Sequence, residues 1–261
     1  MKWKSKPGGF FKGLSPRTPQ SGELFRHELK YRISEPEHAA IKVRLAPLMD
    51  LDPHAKNGGY LIRSLYFDDY WKSAYCDKEN GLVMRRKYRI RIYDFSERVI
   101  HLERKKKFDH YIYKESAPLT REEFEKILRG DYAFLIESPH SLLREFYVEC
   151  ISHVMRPRVI VDYEREPWIM DAGTVRVTFD RQVRAAIGSF DIFDPTLPTL
   201  RVMEPGELIM EVKYTQFLPQ IVRQILPPKG EELMAYSKYV LCCDKTQYLH
   251  GFSYWEERVI L

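Results

Sequence analysis

The chain contains only four cysteines in 261 residues. None is spaced as C-x-x-C, and the adjacent pair Cys242 and Cys243 cannot staple distant segments, so the pattern of a disulfide framework is absent. A reducing, cytoplasmic setting is the simpler expectation. No apolar run approaches the roughly 18 residues that a bilayer-crossing helix needs. The lysine-bearing N-terminus also lacks the apolar stretch of a secretory signal. Glycine-rich loops of the form G-x-x-x-x-G-K-[ST] or G-x-G-x-x-G are missing, so any bound phosphate must be held by side-chain cations. The eight histidines are scattered and form no H-E-x-x-H. No Ser/His/Asp or Cys/His nucleophile set can be assembled from spacing.

The formal charge is +5, and its position is informative. Lys2, Lys4, Lys6, Lys12 and Arg17 fall within residues 1–21, which contain no acid and account for the whole surplus. With Pro7, Gly8, Gly9, Pro16 and Pro19 beside them, residues 1–22 read as a flexible basic segment. The rest, residues 23–261, is expected to form one folded domain. Its balanced charge argues against a broad nucleic-acid-binding exterior, so no nucleic-acid partner is expected. A local basic cavity is compatible with balanced totals.

Charged residues instead recur on alternate positions of strand-like segments. Arg26, Glu28, Lys30 and Arg32 share one face, against Leu29, Tyr31 and Ile33. Lys87, Arg89 and Arg91 alternate with Tyr88, Ile90 and Ile92. Glu103, Lys105 and Lys107 follow, then Arg176, Thr178 and Asp180 against Val175, Val177 and Phe179, then Glu211 and Lys213 against Met210 and Val212. Successive strand residues point to opposite faces, so each strand carries one apolar and one charged face. In an open sheet the charged faces would meet water; in a closed one they would line a cationic channel.

Strands are expected near 60–68, 85–94, 99–107, 110–116, 157–165, 174–182 and 207–214, with hairpin turns near Ser96-Glu97 and Asp109. Ser34-x-x-Glu37 and Thr120-x-x-Glu123 are capping boxes, and Gly130 marks a helix stop. Ser138-Pro139 opens a further helix, ended by Pro157. Closing helices are expected over 215–226, with Phe217, Ile221 and Ile225 as a packing stripe, and over 232–247. The fold class is α+β: a mainly antiparallel sheet of about eight strands that could close on itself, flanked by helices.

Interleaved arginines and lysines suit a long linear anion. Arginine pairs with phosphate oxygens bidentately, and lysine supplies a compact charge. Glu28-x-Lys30, Glu103-x-Lys105 and Glu211-x-Lys213 place a carboxylate beside an ammonium on one strand face. Each carboxylate could neutralise repulsion or hold Mg²⁺ or Mn²⁺ with phosphate oxygens completing the shell. Tyr66, Tyr88 and Tyr93 could stack RNA bases, but read more simply as packing, as do Met203 and Met210.

Taken in order, Arg26-x-Glu28-x-Lys30-Tyr31, Arg63-x-x-Tyr66-Phe67-Asp68, Lys87-x-Arg89-x-Arg91-x-Tyr93, Glu103-x-Lys105-x-Lys107, Arg176-x-Thr178-x-Asp180, Glu211-x-Lys213-Tyr214 and Ser237-Lys238-Tyr239 resemble the vacuolar transporter chaperone (VTC) domain. That family is the polyphosphate polymerase branch of the triphosphate tunnel metalloenzymes. The first motif departs from the Glu-x-Glu-x-Lys of other tunnel enzymes, which weakens a simple triphosphatase or cyclase assignment. The resemblance implies a closed antiparallel β-barrel with a basic tunnel and transfer of the terminal phosphoryl group of ATP to inorganic polyphosphate. It implies a divalent metal, Mn²⁺ or Mg²⁺. Lys30, Arg89, Arg91, Lys105, Arg158 and Arg176 take the roles of phosphate ligands, and Ser237 and Lys238 lie near the product chain. Arg63, Lys87, Lys107, Lys114 and Lys213 join the phosphate-binding wall; Glu211, with Glu28 and Glu103, is the expected metal ligand set. A triphosphate hydrolase and a non-enzymatic polyphosphate-binding module are the rival readings. A membrane partner and the oligomeric state are left open.

Overall fold

The computed structural model describes residues 26–108, 111–227 and 237–247. In chain order the elements are β1 (Arg26–Ser34), α1 (Glu35–Leu45), β2 (Asp50–Leu51), β3 (Tyr60–Asp68), α2 (Ser73–Glu79), β4 (Met84–Tyr93), β5 (Ser96–Phe108), β6 (Tyr111–Pro118), α3 (Arg121–Leu128), α4 (Ser141–Ser152), β7 (Arg156–Met170), β8 (Val175–Ala186), β9 (Thr199–Arg201), β10 (Glu207–Tyr214), α5 (Gln220–Arg223) and α6 (Lys238–Thr246). The sheet runs β7-β3-β4-β5-β6-β1-β10-β8, and β7 pairs again with β8, so eight antiparallel strands form a closed ring. The short β2 and β9 append to β7 and β8. Closure removes the unpaired edges that an open sheet would present.

The two faces of this ring differ as the alternation requires. Leu65, Phe67, Tyr88, Ile90, Ile92 and Leu102 pack with Phe124 and Ile127 of α3 and Leu142, Leu143 and Phe146 of α4 in one outer core. Tyr31, Ile33, Val177, Phe179, Met210 and Val212 pack with Ile41 and Leu45 of α1 in a second. The charged residues occupy the other face, where contacts leap over an intervening strand. Lys105 on β5 reaches Glu28 on β1 across β6 at 2.9 Å. Arg91 on β4 reaches Tyr163 on β7 across β3 at 3.0 Å. Only the concave side of a curved sheet brings such residues together, so the charged faces point inward. On that side Ile62, Val159, Val161, Val183, Ala185 and Ile209 make an apolar floor, on which α6 lays Tyr239, Val240, Cys242 and Cys243.

Both expected capping boxes are formed, Ser34 with Glu37 and Thr120 with Glu123. Gly130 follows α3 at φ 80°. The expected turn at Ser96-Glu97 lies two residues earlier: Asp94 and Phe95 both adopt positive φ, 49° and 56°, as a tight two-residue hairpin demands. Arg63 sits 4.5 Å over the Phe95 ring and Asp94 accepts the Leu61 amide, which fixes this strained pair. The helix expected from Ser138-Pro139 begins at Ser141 and ends at Ser152, short of Pro157.

The helix expected over 215–226 shrinks to Gln220–Arg223. Pro219 disfavours helical geometry at the preceding residue, so the buried stripe becomes Leu218, Val222 and Ile225 while Phe217 and Ile221 are exposed. The turn near Asp109, the start of the domain at Glu23, residues 1–22 and residues 232–236 lie outside the described residues. Tyr66 and Tyr88 are buried, Tyr93 packs against the inner core, and Met210 is fully buried, all as packing.

The face assignment is testable by unfolding. Ile90→Asp buries a carboxylate in the outer core and is expected to abolish folding or cost several kcal/mol. Lys87→Met, on the inward face, is expected to keep or raise the melting temperature. Equal destabilisation by both would contradict the assignment.

Candidate functional site

Three carboxylates organise the interior cations. Glu28 accepts Lys105 Nζ on both oxygens at 2.9 Å, with Lys213 at 3.4 Å and Lys30 at 3.7 Å. Against the cost of burial, Lys105, Lys30 and Lys213 hold its carboxyl well below the usual range. The register sets this up by placing Glu28 opposite Lys213 and Lys30 opposite Glu211. Strand pairing thus alternates sign both along and across the sheet.

Glu103 anchors the arginines. Arg89 donates to its Oε2 at 2.8 Å and Lys114 to its Oε1 at 2.8 Å, with Arg91 at 3.8 Å. Burial opposes ionisation there, yet Arg89, Arg91 and Lys114 hold Glu103 low. Two phenols complete the setting, Tyr66 accepting Arg89 at 2.8 Å and Tyr163 accepting Arg91 at 3.0 Å.

Glu211 is the third centre, and it is fully saturated. Its Oε1 lies 3.1 Å from both Lys30 and Lys238, and its Oε2 lies 2.9 Å from Lys213 and 3.5 Å from Arg165. Burial works against its charge, and Lys213, Lys238, Lys30 and Arg165 overcome it. Asp180 stands beside it, taking Arg165 bidentately at 2.7 and 2.6 Å and Lys238 at 2.5 Å. Lys238 opens α6, whose amide at Val240 is capped by Ser237. The ammonium therefore ties this helix to the sheet.

Lys30, Lys87, Arg89, Arg91, Lys105, Lys114 and Lys213 are therefore brought together with Glu28, Glu103, Glu211, Ser237 and Lys238. Lys107 lies on the same strand face as Glu103 and Lys105. Arg176 sits at the margin, where it meets Asp52 at 2.8 Å and the Tyr60 hydroxyl at 3.0 Å. Arg158, at the bulge opposite Tyr66–Phe67, places its charge near Cys243. Arg63 does not join the cluster: it lies on the outer face, 1% exposed, spent on a bidentate pair with Asp162 and on the Asp194 carbonyl. Its alternation partners are Leu65 and Phe67, and that pattern is what places it outside.

Sequence reading passed over Arg165 and Tyr163. Their signal was present as the alternation Tyr163-x-Arg165 within the strand expected near 157–165.

Among the described residues no three His, Cys, Asp or Glu side chains converge as metal ligands. Glu28, Glu103 and Glu211 alike spend their oxygens on lysines and arginines, so an ion at any of them would have to displace a cation. The donor set does not fit an ion caged by protein alone.

The VTC domain family matches residues 25–247. No curated protein sequence matches the chain. Among solved structures, a candidate adenylyl cyclase from Hippeastrum described as having dominant triphosphatase activity aligns at 15% identity and TM-score 0.48, covering 86% of this chain and 96% of that one. A candidate adenylate cyclase from Bacillus halodurans aligns at 12% identity and TM-score 0.47, covering 80% and 96%. The PH1819 protein of Pyrococcus horikoshii aligns at 12% and 0.43, covering 84% and 99%.

Lys87 differs from its neighbours. Its Nζ donates to Ser237 Oγ at 2.9 Å and rests 4.7 Å over the Tyr239 ring. No carboxylate among the described residues pairs with it. Burial first, then Lys30 and Lys105, push it down to about 7, and burial likewise pushes Lys105 down to about 7 despite its pair with Glu28. The sign follows. Below pH 7 the group is cationic and attracts anions; above it the charge is lost in the folded state only. Affinity for tripolyphosphate should accordingly fall as pH rises from 6 to 8.5 and both Lys87 and Lys105 lose charge, measured by calorimetry, and Lys87→Arg should flatten part of that fall. The empty protein should gain stability over the same interval, because the unfolded chain holds the extra proton. A pH-independent affinity in the parent protein would overturn this role.

Proposed function

The chain belongs to the VTC domain family, and we propose that it is a polyphosphate polymerase that transfers the γ-phosphoryl group of ATP to the end of an inorganic polyphosphate chain. One observation supports this most: the inward faces of β1, β4, β5, β6 and β10 carry Lys30, Lys87, Arg89, Arg91, Lys105, Lys114 and Lys213, set around Glu28, Glu103 and Glu211. A single phosphate needs two or three such groups. A lining spread over five strands matches a linear polyanion.

The chemistry asks little of protein nucleophiles. The terminal oxygen of polyphosphate, already ionised near neutral pH, attacks the γ-phosphorus in line as the bond to the β,γ-bridging oxygen breaks and ADP departs. Arg89 and Arg91, held by Glu103 and the two phenols, orient the triphosphate; Lys30, Lys105 and Lys213 neutralise the growing charge. A divalent ion, Mn²⁺ or Mg²⁺, bound through Glu211 with phosphate oxygens would offset charge on the transferring group. Such a ligand set would require Glu211 to release one of its lysines, and an incoming phosphate offers that lysine a new partner.

The test is purified protein with ATP, Mn²⁺ and a short polyphosphate primer, following ADP by phosphorus NMR and chain length by gel. ADP with lengthening chains is expected. Glu211→Ala should lower turnover on the order of 10²-fold while altering nucleotide affinity much less. ADP with free phosphate and no polymer would replace this reading with a hydrolase, and absence of turnover would leave a binding module.

A further inference from the structure

Thr178 sits on β8 between Arg176 and Asp180, and alternation turns all three toward the ring interior, since Val177 and Phe179 fill the outer core. Across the sheet it faces Glu211 on β10 and Pro167 on β7. Its side chain is 1% exposed, and its hydroxyl has no hydrogen-bond partner among the described residues. That is unusual at this location. Every neighbouring polar group is matched: Glu211 and Asp180 by lysines and Arg165, Arg176 by Asp52 and Tyr60. Pro167 has no amide N–H to donate to it. A buried hydroxyl left unpaired costs about 1–3 kcal/mol, so a β-branched apolar residue of the same shape would serve the fold better.

We propose that the Thr178 hydroxyl is a substrate-positioning group, which donates its hydrogen bond to a phosphate oxygen of the bound polyphosphate or triphosphate beside Glu211. This deepens the reading above and rests on it. The neighbouring carboxylates cannot satisfy a phosphate oxygen, because they are acceptors. Lys30 and Lys213 already divide their donors between Glu211 and Glu28, and Lys238 and Arg165 between Glu211 and Asp180. A neutral donor at this point adds a directed contact without adding charge that a carboxylate would have to balance.

The experiment compares the parent protein with Thr178→Val, which removes only the hydroxyl, and Thr178→Ser, which keeps it. Tripolyphosphate is the probe, read by calorimetry and by thermal unfolding without ligand. Thr178→Val is expected to melt no lower than the parent and to bind tripolyphosphate about tenfold more weakly; Thr178→Ser is expected to bind within about twofold. Unchanged affinity in Thr178→Val would overturn the proposal. So would a marked loss of unliganded stability in that variant, because the hydroxyl would then serve the fold. Parent protein that fails to bind tripolyphosphate would overturn the polyphosphate reading as well, which separates the two failures.

Discussion

Desolvated like charges repel, and the interior of this ring concentrates them. Lysines and arginines from five strands face one another across the ring, partly or wholly removed from water, and three glutamates offset their mutual repulsion. Glu28, Glu103 and Glu211 each bind cations from more than one strand. They act as counter-ions and as ties. Closure of the ring, the inward turn of the charged faces and the seating of α6 through Lys238 all depend on this partition of charge. Breaking one partner of a buried pair leaves the other uncompensated, which is why these contacts are stiff although their net contribution to stability is small.

The same partition leaves the interior receptive. Each glutamate is outnumbered by the cations it binds, so an anion entering the ring completes pairs already half formed and need not desolvate bare ammonium groups. The arginines are preorganised by Glu103, Tyr66 and Tyr163, and little side-chain entropy remains to be lost when phosphate oxygens arrive. Lys87, which pairs with no carboxylate among the described residues, and Lys105 are both pushed down to about 7, and a ligand's charge would draw both back to the cationic form. A helix lying on the inward face ties these strands to the segment that carries Ser237 and Lys238, so substrate contacts come from elements distant in sequence.

Much of this was readable before any coordinates. Period-two alternation of charge with branched and aromatic residues identified the strands, and the capping boxes at Ser34 and Thr120 marked two helix starts to the residue. Glu28, Lys30, Arg89, Lys105 and Glu211 came together as the motif order suggested. What failed did so for local reasons. Arg63 looked like its inward neighbours because a motif carries no face information, whereas its alternation with Leu65 and Phe67 does. Pro219 shortened a helix that apolar periodicity had extended, and a left-handed Asp94-Phe95 turn has no glycine to announce it. Pairing across strands, such as Glu28 with Lys105 or Arg165 with Asp180, depends on register, which single-strand patterns do not encode.

The claim on which the rest stands is that a linear polyanion is held inside the ring. Reductive methylation of lysines, quantified residue by residue with and without polyphosphate, tests it directly. Protection of Lys30, Lys105, Lys114 and Lys213, with unchanged reactivity at the outer Lys42 and Lys126, is the expected result. Protection of Lys42 and Lys126 with no change at the four interior lysines would place the polymer outside and contradict the claim.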